Sequence, residues 1–156
     1  MNISSLLSKE AVLPDLNVQD KFELLNRLVD LLSPMVDSGQ LEEIRTAVTE
    51  REKIMSTGVG KELAIPHGKT KALDQTYAAF ALLEKPVEYE SIDGKPVRLV
   101  FLLVGPESNN SIHIKLLSRI SRLMNKSSFR ERLLDCSSAE GILEVFQSEE
   151  ERFFQE

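Results

Sequence analysis

The chain has 156 residues, of which 42% are hydrophobic and 28% charged, and its formal net charge is −6. These values predict a single globular domain over residues 1–156 that needs neither disulfides nor a metal to form its core. They argue against a nucleic-acid-binding protein, which usually carries a basic face, and they are compatible with basic protein partners reached by electrostatic steering.

Cysteine content and hydropathy predict the compartment. Cys136 is the single cysteine, so no disulfide forms within the chain and a reducing compartment is expected. The first residues contain no basic region followed by an apolar run, which argues against a signal peptide. The most apolar stretch, Leu99–Val104, is far shorter than the ~20 residues of a spanning helix. We expect a soluble cytoplasmic protein that does not insert into membranes.

The chain opens with two predicted helices. The first spans Val18–Val36, with Asn17 as its N-cap, and Pro34 and Gly39 mark its end. Its apolar residues recur at steps of three and four, which is typical of one buried helix face: Phe22, Leu25, Leu28, Val29 and Leu32. A second helix is predicted over Gln40–Arg51, with an inward face formed by Leu41, Ile44 and Val48.

The middle of the chain changes to turns and strands. Residues 56–60 are rich in turn formers, and the short apolar run 63–65 stops at Pro66-His67-Gly68. Thr76–Leu83 and Val97–Val104 are typical of buried strands, and Asp93-Gly94 between them indicates a hairpin turn.

Helices are predicted again in the last third, over Ser111–Met124, near 129–134 and near 139–146. Residues 148–156 are predicted to form a charged tail beyond a core of about 1–147, with Glu149–Glu151 as a solvated acidic face. Strands between two groups of helices predict an α/β fold, with a mixed parallel and antiparallel sheet covered by helices on both faces.

The two histidines are the candidate functional residues. His67 lies between Pro66, which stiffens the backbone, and Gly68, which leaves room beside the imidazole ring. His113 lies in the first turn of the long helix, where free N–H groups and a partial positive charge hold phosphate well. Taken alone, each is more simply interpreted as a turn or surface histidine that has no function.

Phosphoryl transfer gives a chemical reason to pair them. Imidazole is nucleophilic near neutral pH, and a phosphoryl group on nitrogen keeps a high transfer potential. Such transfer depends on positioning and on stabilising the spread negative charge. A second imidazole, a guanidinium such as Arg51, or a hydroxyl of Ser56 or Thr57 provides suitable hydrogen-bond donors.

Other chemistries have weaker support in the sequence. Two separated histidines and Cys136 match no standard zinc spacing, and the G-x-S-x-G motif of serine hydrolases is absent. Gly58-Val59-Gly60 matches a dinucleotide fingerprint only in part, because Leu63 occupies the place of the third glycine. Cys136 more simply ends a helix than acts as a nucleophile. No metal and no cofactor is therefore expected.

The segment Thr49–Lys69 is a more specific indication of function than any of these short motifs. It contains a helix-end Arg-Glu pair, then Ser-Thr-Gly-Val-Gly, then Ala-Ile-Pro-His, in that order. This order closely resembles the active-site segment of enzyme IIA (EIIA) of the bacterial phosphotransferase system (PTS), fructose/mannitol class, which includes a nitrogen-regulatory branch. The likeness extends over nearly the whole chain, through the stretches IDGKPV, VFLLVGP and HIKLLSRISRLM.

The resemblance implies a role for each matching residue and a PTS EIIA type-2 fold. His67 matches the phosphorylated histidine, which would attack through Nε2 while a backbone carbonyl holds Nδ1. His113 matches the assisting histidine, and Arg51 matches the arginine that steadies the phosphoryl group. Four further residues match the loop that lines the site: Ser56, Thr57, Gly58 and Gly60.

The resemblance also implies partners. The donor would be the histidine phosphocarrier HPr or an HPr-like protein, and the acceptor an enzyme IIB (EIIB) component of a sugar transport system. The alternative is a regulatory module whose phosphorylation at His67 controls binding to other proteins. Lys61-Glu62 departs from the Asn that many relatives carry after the second glycine. The chain contains no EIIB or enzyme IIC (EIIC) sequence, which suits the stand-alone nitrogen-type branch.

Overall fold

A computed structural model describes residues 2–154. It contains six strands: β1 Val12–Leu16, β2 Gly58–Gly60, β3 Leu63–Ala64, β4 His67–Thr70, β5 Tyr77–Val87 and β6 Val97–Pro106. It contains five α-helices: α1 Lys21–Asp30, α2 Ser38–Ile54, α3 Asn110–Met124, α4 Ser127–Leu134 and α5 Ala139–Phe153. Two short 3-10 turns, Ser4–Leu6 and Lys9–Ala11, precede β1. None of the helices within 2–154 is long and apolar enough to cross a membrane.

The strands form one mixed sheet around β6. On one side β6 pairs antiparallel with β5, which in turn pairs parallel with β1. On the other side β6 pairs parallel with β3 at Leu99–Val100 and with β4 at Leu103–Pro106, and β2 pairs antiparallel with β3. The predicted mixture of parallel and antiparallel pairing is confirmed.

Alternate residues of β6 supply two separate cores, because successive side chains of a strand point to opposite faces. Val100 and Leu102 pack with α1 and α2, and Phe101 and Leu103 pack with α3, α4 and α5. Aromatic rings dominate the second core, where the Phe80 and Phe146 centroids lie 5.1 Å apart in an edge-to-face arrangement. The prediction of helices on both faces is confirmed.

The first predicted helix is too long in both directions. Asp20, rather than Asn17, caps α1, because its Oδ1 accepts a hydrogen bond from the Glu23 N–H at 2.9 Å. The Glu23 carboxylate in turn accepts from the Gln19 N–H, and Asp30 ends the helix. Phe22 follows the helical spacing but is 62% exposed, so its assignment to the buried face is wrong.

Three strands were not predicted. β2 lies within residues 56–60, which were interpreted as turn formers. β1 lies in a segment where a half-buried Pro14 and an exposed Asp15 interrupt the apolar pattern. β4 begins at His67, within the segment interpreted as a turn, and its Gly68 and Lys69 are weak strand formers. Its pairing with β6, rather than its own propensity, makes it a strand.

The acidic segment 149–151 is mostly not a solvated face. α5 continues to Phe153, and both Glu149 and Glu150 are buried. Glu149 pairs with Lys126 at 3.3 Å and with Arg132 at 3.1 Å. Glu150 accepts hydrogen bonds from the N–H groups of residues 3 and 4, at 2.6 and 2.8 Å. The expected solvated face is wrong for these two glutamates, and tail residues 155 and 156 lie outside the described residues.

A glycine allows α2 to approach β4 closely. A Cβ atom on Gly68 would lie 3.1 Å from the backbone atoms Ala47 C and Val48 N. Backbone atoms cannot rotate away as a flexible side chain can, so this position accepts only glycine without a shift of α2. The contact places the C-terminal half of α2 against the strand that begins with His67.

We expect Gly68→Ala to lower the free energy of unfolding by about 1–3 kcal/mol, because the new methyl group pushes α2 away from β4. Gly39→Ala in the same helix is the matched control, since its Cβ meets only ordinary van der Waals contact at 3.4 Å from Asp37 Oδ1. The control should leave stability unchanged or slightly raised, because Ala favours helix. Urea unfolding of both variants tests this, and equal stabilities would contradict it.

Candidate active site

His67 is held in one orientation at the start of β4. Its ring Nδ1 lies 2.9 Å from the carbonyl oxygen of Ile65, and its backbone pairs with Leu103 of β6. A carbonyl oxygen only accepts hydrogen bonds, so this contact assigns the proton to Nδ1 and leaves the Nε2 lone pair free. Partial burial lowers the pKa of His67 below its ordinary value, and nearby Arg51 lowers it further. The ring is therefore neutral and nucleophilic near pH 7.

His113 faces His67 from the first turn of α3. The two ring centroids are 5.7 Å apart and the rings are tilted by 53°. His113 is only 4% exposed, yet neither ring nitrogen has a hydrogen-bond partner within the described residues. Burial lowers its pKa to about 4, and His67 and Lys69 lower it as well. A buried imidazole without partners is ready to bond a ligand placed between the rings.

Arg51 lies with the two histidines and belongs to the last turn of α2. Its guanidinium donates to the Met55 carbonyl oxygen at 2.9 Å, which closes the end of the helix. Arg51, His67 and His113 line one open cavity of about 620 Å³. The structure therefore brings together the three residues that the sequence singled out, from α2, β4 and α3.

The loop residues lie elsewhere. Ser56, Thr57, Gly58 and Gly60 are not among the residues that line this cavity. The Ser56 hydroxyl donates to the Tyr89 carbonyl oxygen, and the Thr57 hydroxyl donates to a Glu52 carboxylate oxygen at 2.6 Å. The expectation that these hydroxyls contact a phosphoryl group is not met in this arrangement. They stabilise the turn between α2 and β2.

Sequence reasoning missed several residues of the cavity. Lys69 lies two residues after His67 on β4, so their side chains share one face of the strand, and Lys69 donates to Asn110 Oδ1. Recognising β4 would have found this lysine. Ile54 and Ile114 also line the cavity, where they are 79% and 56% exposed. Ile54 follows Arg51 by three residues on α2, and that spacing was the available signal.

Among residues 2–154, the geometry gives no further support for Cys136 as a nucleophile or for a metal site. Cys136 lies after α4, and its thiol donates to the Arg132 carbonyl oxygen. Within residues 2–154, no group of three His, Cys, Asp or Glu side chains is arranged to hold a metal ion.

Comparison with known proteins agrees with this geometry. The family model described as "Phosphoenolpyruvate-dependent sugar phosphotransferase system, EIIA 2" matches residues 5–149, which include all three cavity residues singled out above. The chain belongs to the PTS EIIA type-2 family.

Similar proteins fall into two functional groups. A nitrogen regulatory protein of Bradyrhizobium diazoefficiens is 38% identical, over 93% of this chain and 94% of its own length. A PTS fructose-specific EIIABC component of Bacillus subtilis is 32% identical over 93% of this chain, which spans only 23% of that protein. The crystal structure of nitrogen regulatory protein IIA-Ntr from Neisseria meningitidis has a TM-score of 0.84 and 32% identity, and the match covers 92% of this chain and 98% of that one.

The burial of His113 predicts a pH dependence of stability. In the unfolded chain a histidine takes up its proton near its ordinary pKa of 6.5, but folded His113 resists it down to about 4. The unfolded state therefore binds more protons in this window. Stability is fully present above about pH 6.5 and is lost as the pH falls toward 4.

We expect wild type to lose on the order of 1 kcal/mol more than His113→Asn between pH 7 and pH 5, because the variant lacks this titration. Urea unfolding at the two pH values measures the difference. Equal losses in both proteins would show that His113 titrates normally in the fold.

Proposed function

We propose that the protein is a phosphocarrier of the PTS whose phosphorylated residue is His67. A phosphorylated HPr or HPr-like carrier docks over the cavity, and Nε2 of His67 attacks its phosphorus in line. The N–P bond of the donor breaks as the new N–P bond forms, and the donor nitrogen keeps the electron pair. A nucleophile of an EIIB component then attacks the phosphorus, and the N–P bond to His67 breaks with its electron pair left on Nε2.

One observation carries this proposal: a neutral imidazole with a free Nε2 lies beside a buried, unpartnered imidazole in a cavity that also presents a guanidinium. His113 donates to the phosphoryl oxygens, and Arg51 offers two N–H groups to the same oxygens. Lys69 adds positive charge nearby. Positioning and charge stabilisation are what phosphoryl transfer requires, and these residues provide both without a metal or a cofactor.

The first test is labelling with enzyme I, HPr and phosphoenolpyruvate, followed by intact mass and peptide mapping in alkaline buffer. We expect one added phosphoryl group on His67 and none on His67→Ala. Arg51→Lys should slow labelling by about 10²-fold, because a point charge replaces a bidentate donor. His113→Gln should slow it by about tenfold, through loss of one charge-stabilising donor.

Labelling at another residue would contradict the proposal. So would an unlabelled wild type in a reaction where a control EIIA becomes labelled. An unchanged rate for His113→Gln would remove His113 from the site while leaving His67 in place.

The exposed isoleucines around the cavity supply a docking surface for the donor. Ile54 and Ile114 come from different helices and flank His67 and Arg51. Exposed aliphatic side chains beside a reactive group are typical of a protein–protein contact, in which their burial excludes water.

We expect Ile54→Ala and Ile114→Ala each to raise KM for phosphorylated HPr by about fivefold, since each loses about 1 kcal/mol of apolar contact. Phe22→Ala is the control, because Phe22 is 62% exposed but does not line the cavity. Steady-state labelling rates measure the effect. A change of KM in Phe22→Ala equal to the others would place the docking surface elsewhere.

A regulatory role is the second candidate, and two of the similar proteins favour it because both are nitrogen regulatory proteins. A phosphoryl group adds about −1.5 to −2 charge beside Arg51, which is enough to change the surfaces that fit there. Rapid transfer from phosphorylated His67 to an EIIB protein supports transport. Absence of transfer, with partners that bind only one phosphorylation state, supports regulation.

A further inference from the structure

A buried cluster of polar side chains lies between α1, α2 and the turn 55–57 that joins α2 to β2. We call it the Glu52 cluster, and it consists of Glu52, Lys21, Thr57 and Tyr89. The Glu52 side chain is 4% exposed and lies 3.0 Å from the Lys21 ammonium. Tyr89 is completely buried. No residue of this cluster lines the cavity that holds the two histidines.

Both oxygens of Glu52 are fully engaged. Oε2 accepts from the Thr57 backbone N–H at 2.7 Å and pairs with Lys21. Oε1 accepts from the Thr57 hydroxyl at 2.6 Å and from the Tyr89 hydroxyl at 3.0 Å. Burial raises the pKa of Tyr89 well above its ordinary 10.0, so its hydroxyl keeps its proton and remains a donor. Two of the four contacts go to one residue, Thr57.

Burying a charged pair often brings no net stability, because desolvation offsets the attraction between the charges. A gain in folding stability therefore does not account for the Glu52 cluster. What it does is hold Thr57 at a set position, through its backbone and its side chain together. The carboxylate binds both donors at once because it has two acceptor oxygens, one for each.

A short chain of backbone contacts leads from Thr57 to the reactive ring. The Thr57 carbonyl oxygen accepts from the Ile65 N–H at 3.0 Å. The carbonyl oxygen of the same Ile65 residue lies 2.9 Å from His67 Nδ1. The peptide groups of Ile65 thus connect the anchored loop on one side with the imidazole on the other.

We propose that Glu52 is a positioning residue for His67: by anchoring Thr57 it holds the Ile65 carbonyl where it fixes the Nδ1–H tautomer. The consequence for phosphoryl transfer rests on the proposed function. Glu52 does not touch the phosphoryl group. It determines how large a fraction of His67 presents an unprotonated Nε2, and it sets the angle of the ring.

The test variant is Glu52→Gln, which keeps the size of the side chain but loses an acceptor. Its amide cannot accept from all four donors, so the Thr57 N–H or the Lys21 ammonium loses its contact with residue 52. We expect long-range ¹H–¹⁵N spectra of the unphosphorylated protein at pH 8 to show distinct Nδ1–H and Nε2 signals for wild-type His67. In Glu52→Gln the two ¹⁵N shifts should converge toward those of a tautomer mixture.

The labelling reaction gives the second readout. In Glu52→Gln we expect kcat to fall about tenfold through loss of orientation, while KM for phosphorylated HPr changes less than twofold. A purely structural role would lower Tm and leave both the ¹⁵N pattern and kcat of the folded protein unchanged. That result would overturn the proposal. The tautomer is read without any donor, so it decides this inference even if His67 proves not to be phosphorylated.

Two further sets of variants keep the test decisive. If Glu52→Gln does not fold, Thr57→Val replaces it, because it removes the hydroxyl contact with Glu52 but keeps the shape of the side chain. Thr57→Ser should restore the wild-type ¹⁵N pattern, since it retains the hydroxyl, and failure of this rescue counts against the proposal. Leu133→Ala is the control for lost stability. Leu133 is buried among α3, α4 and α5, so this variant should lower Tm without altering His67.

Discussion

The parallel pairing of β4 with the end of β6 is the constraint on which the site depends. β4 has β6 as its single neighbour among the strands that the structure describes, so its other edge is open. Helices on opposite faces of the sheet, α2 and α3, both reach that edge. His67 therefore meets Arg51 from one face and His113 from the other. α3 begins shortly after β6 ends. Its first turn therefore lies beside β4, the strand that pairs with the end of β6.

Electrostatics follow from that geometry. Burial holds His67 and His113 in their neutral forms, while Arg51 and Lys69 remain as cations next to them. An arriving anion reverses the balance, since it favours a proton on His113 and pairs with the guanidinium. The chain as a whole is acidic at −6, and the cavity itself is lined by charges of both signs, with Glu50 and Glu107 beside Arg51 and Lys69. Net charge thus describes how the whole protein meets its partners, and local charge describes the chemistry.

The parts of the fold that the sequence predicted are those with strong periodicity. α3 and the long strands β5 and β6 have apolar patterns that packing merely reinforces, and their positions agree with prediction within a few residues. β4 was missed because only its partner makes it a strand. Likewise His67 and Arg51 were found through the motif at 49–69, and His113 through its place in the first turn of the long helix. Lys69 and Ile114 belong to the cavity only because β4 and α3 lie together. Ser56 and Thr57 belong to the same motif, yet they point to Tyr89 and Glu52.

Buried glutamates show why charge patterns mislead in this protein. Glu52, Glu149 and Glu150 lie in runs of charged residues that are typical of solvated helix faces, yet all three are buried. Glu52 binds the N–H of Thr57, and Glu150 binds the N–H groups of Ile3 and Ser4. Glu149 instead links α5 to Lys126 and Arg132. A carboxylate that accepts from backbone donors ties distant segments together, and no helical period encodes which segment arrives there. In this fold such ties determine where the loop before His67 and the start of the chain come to lie.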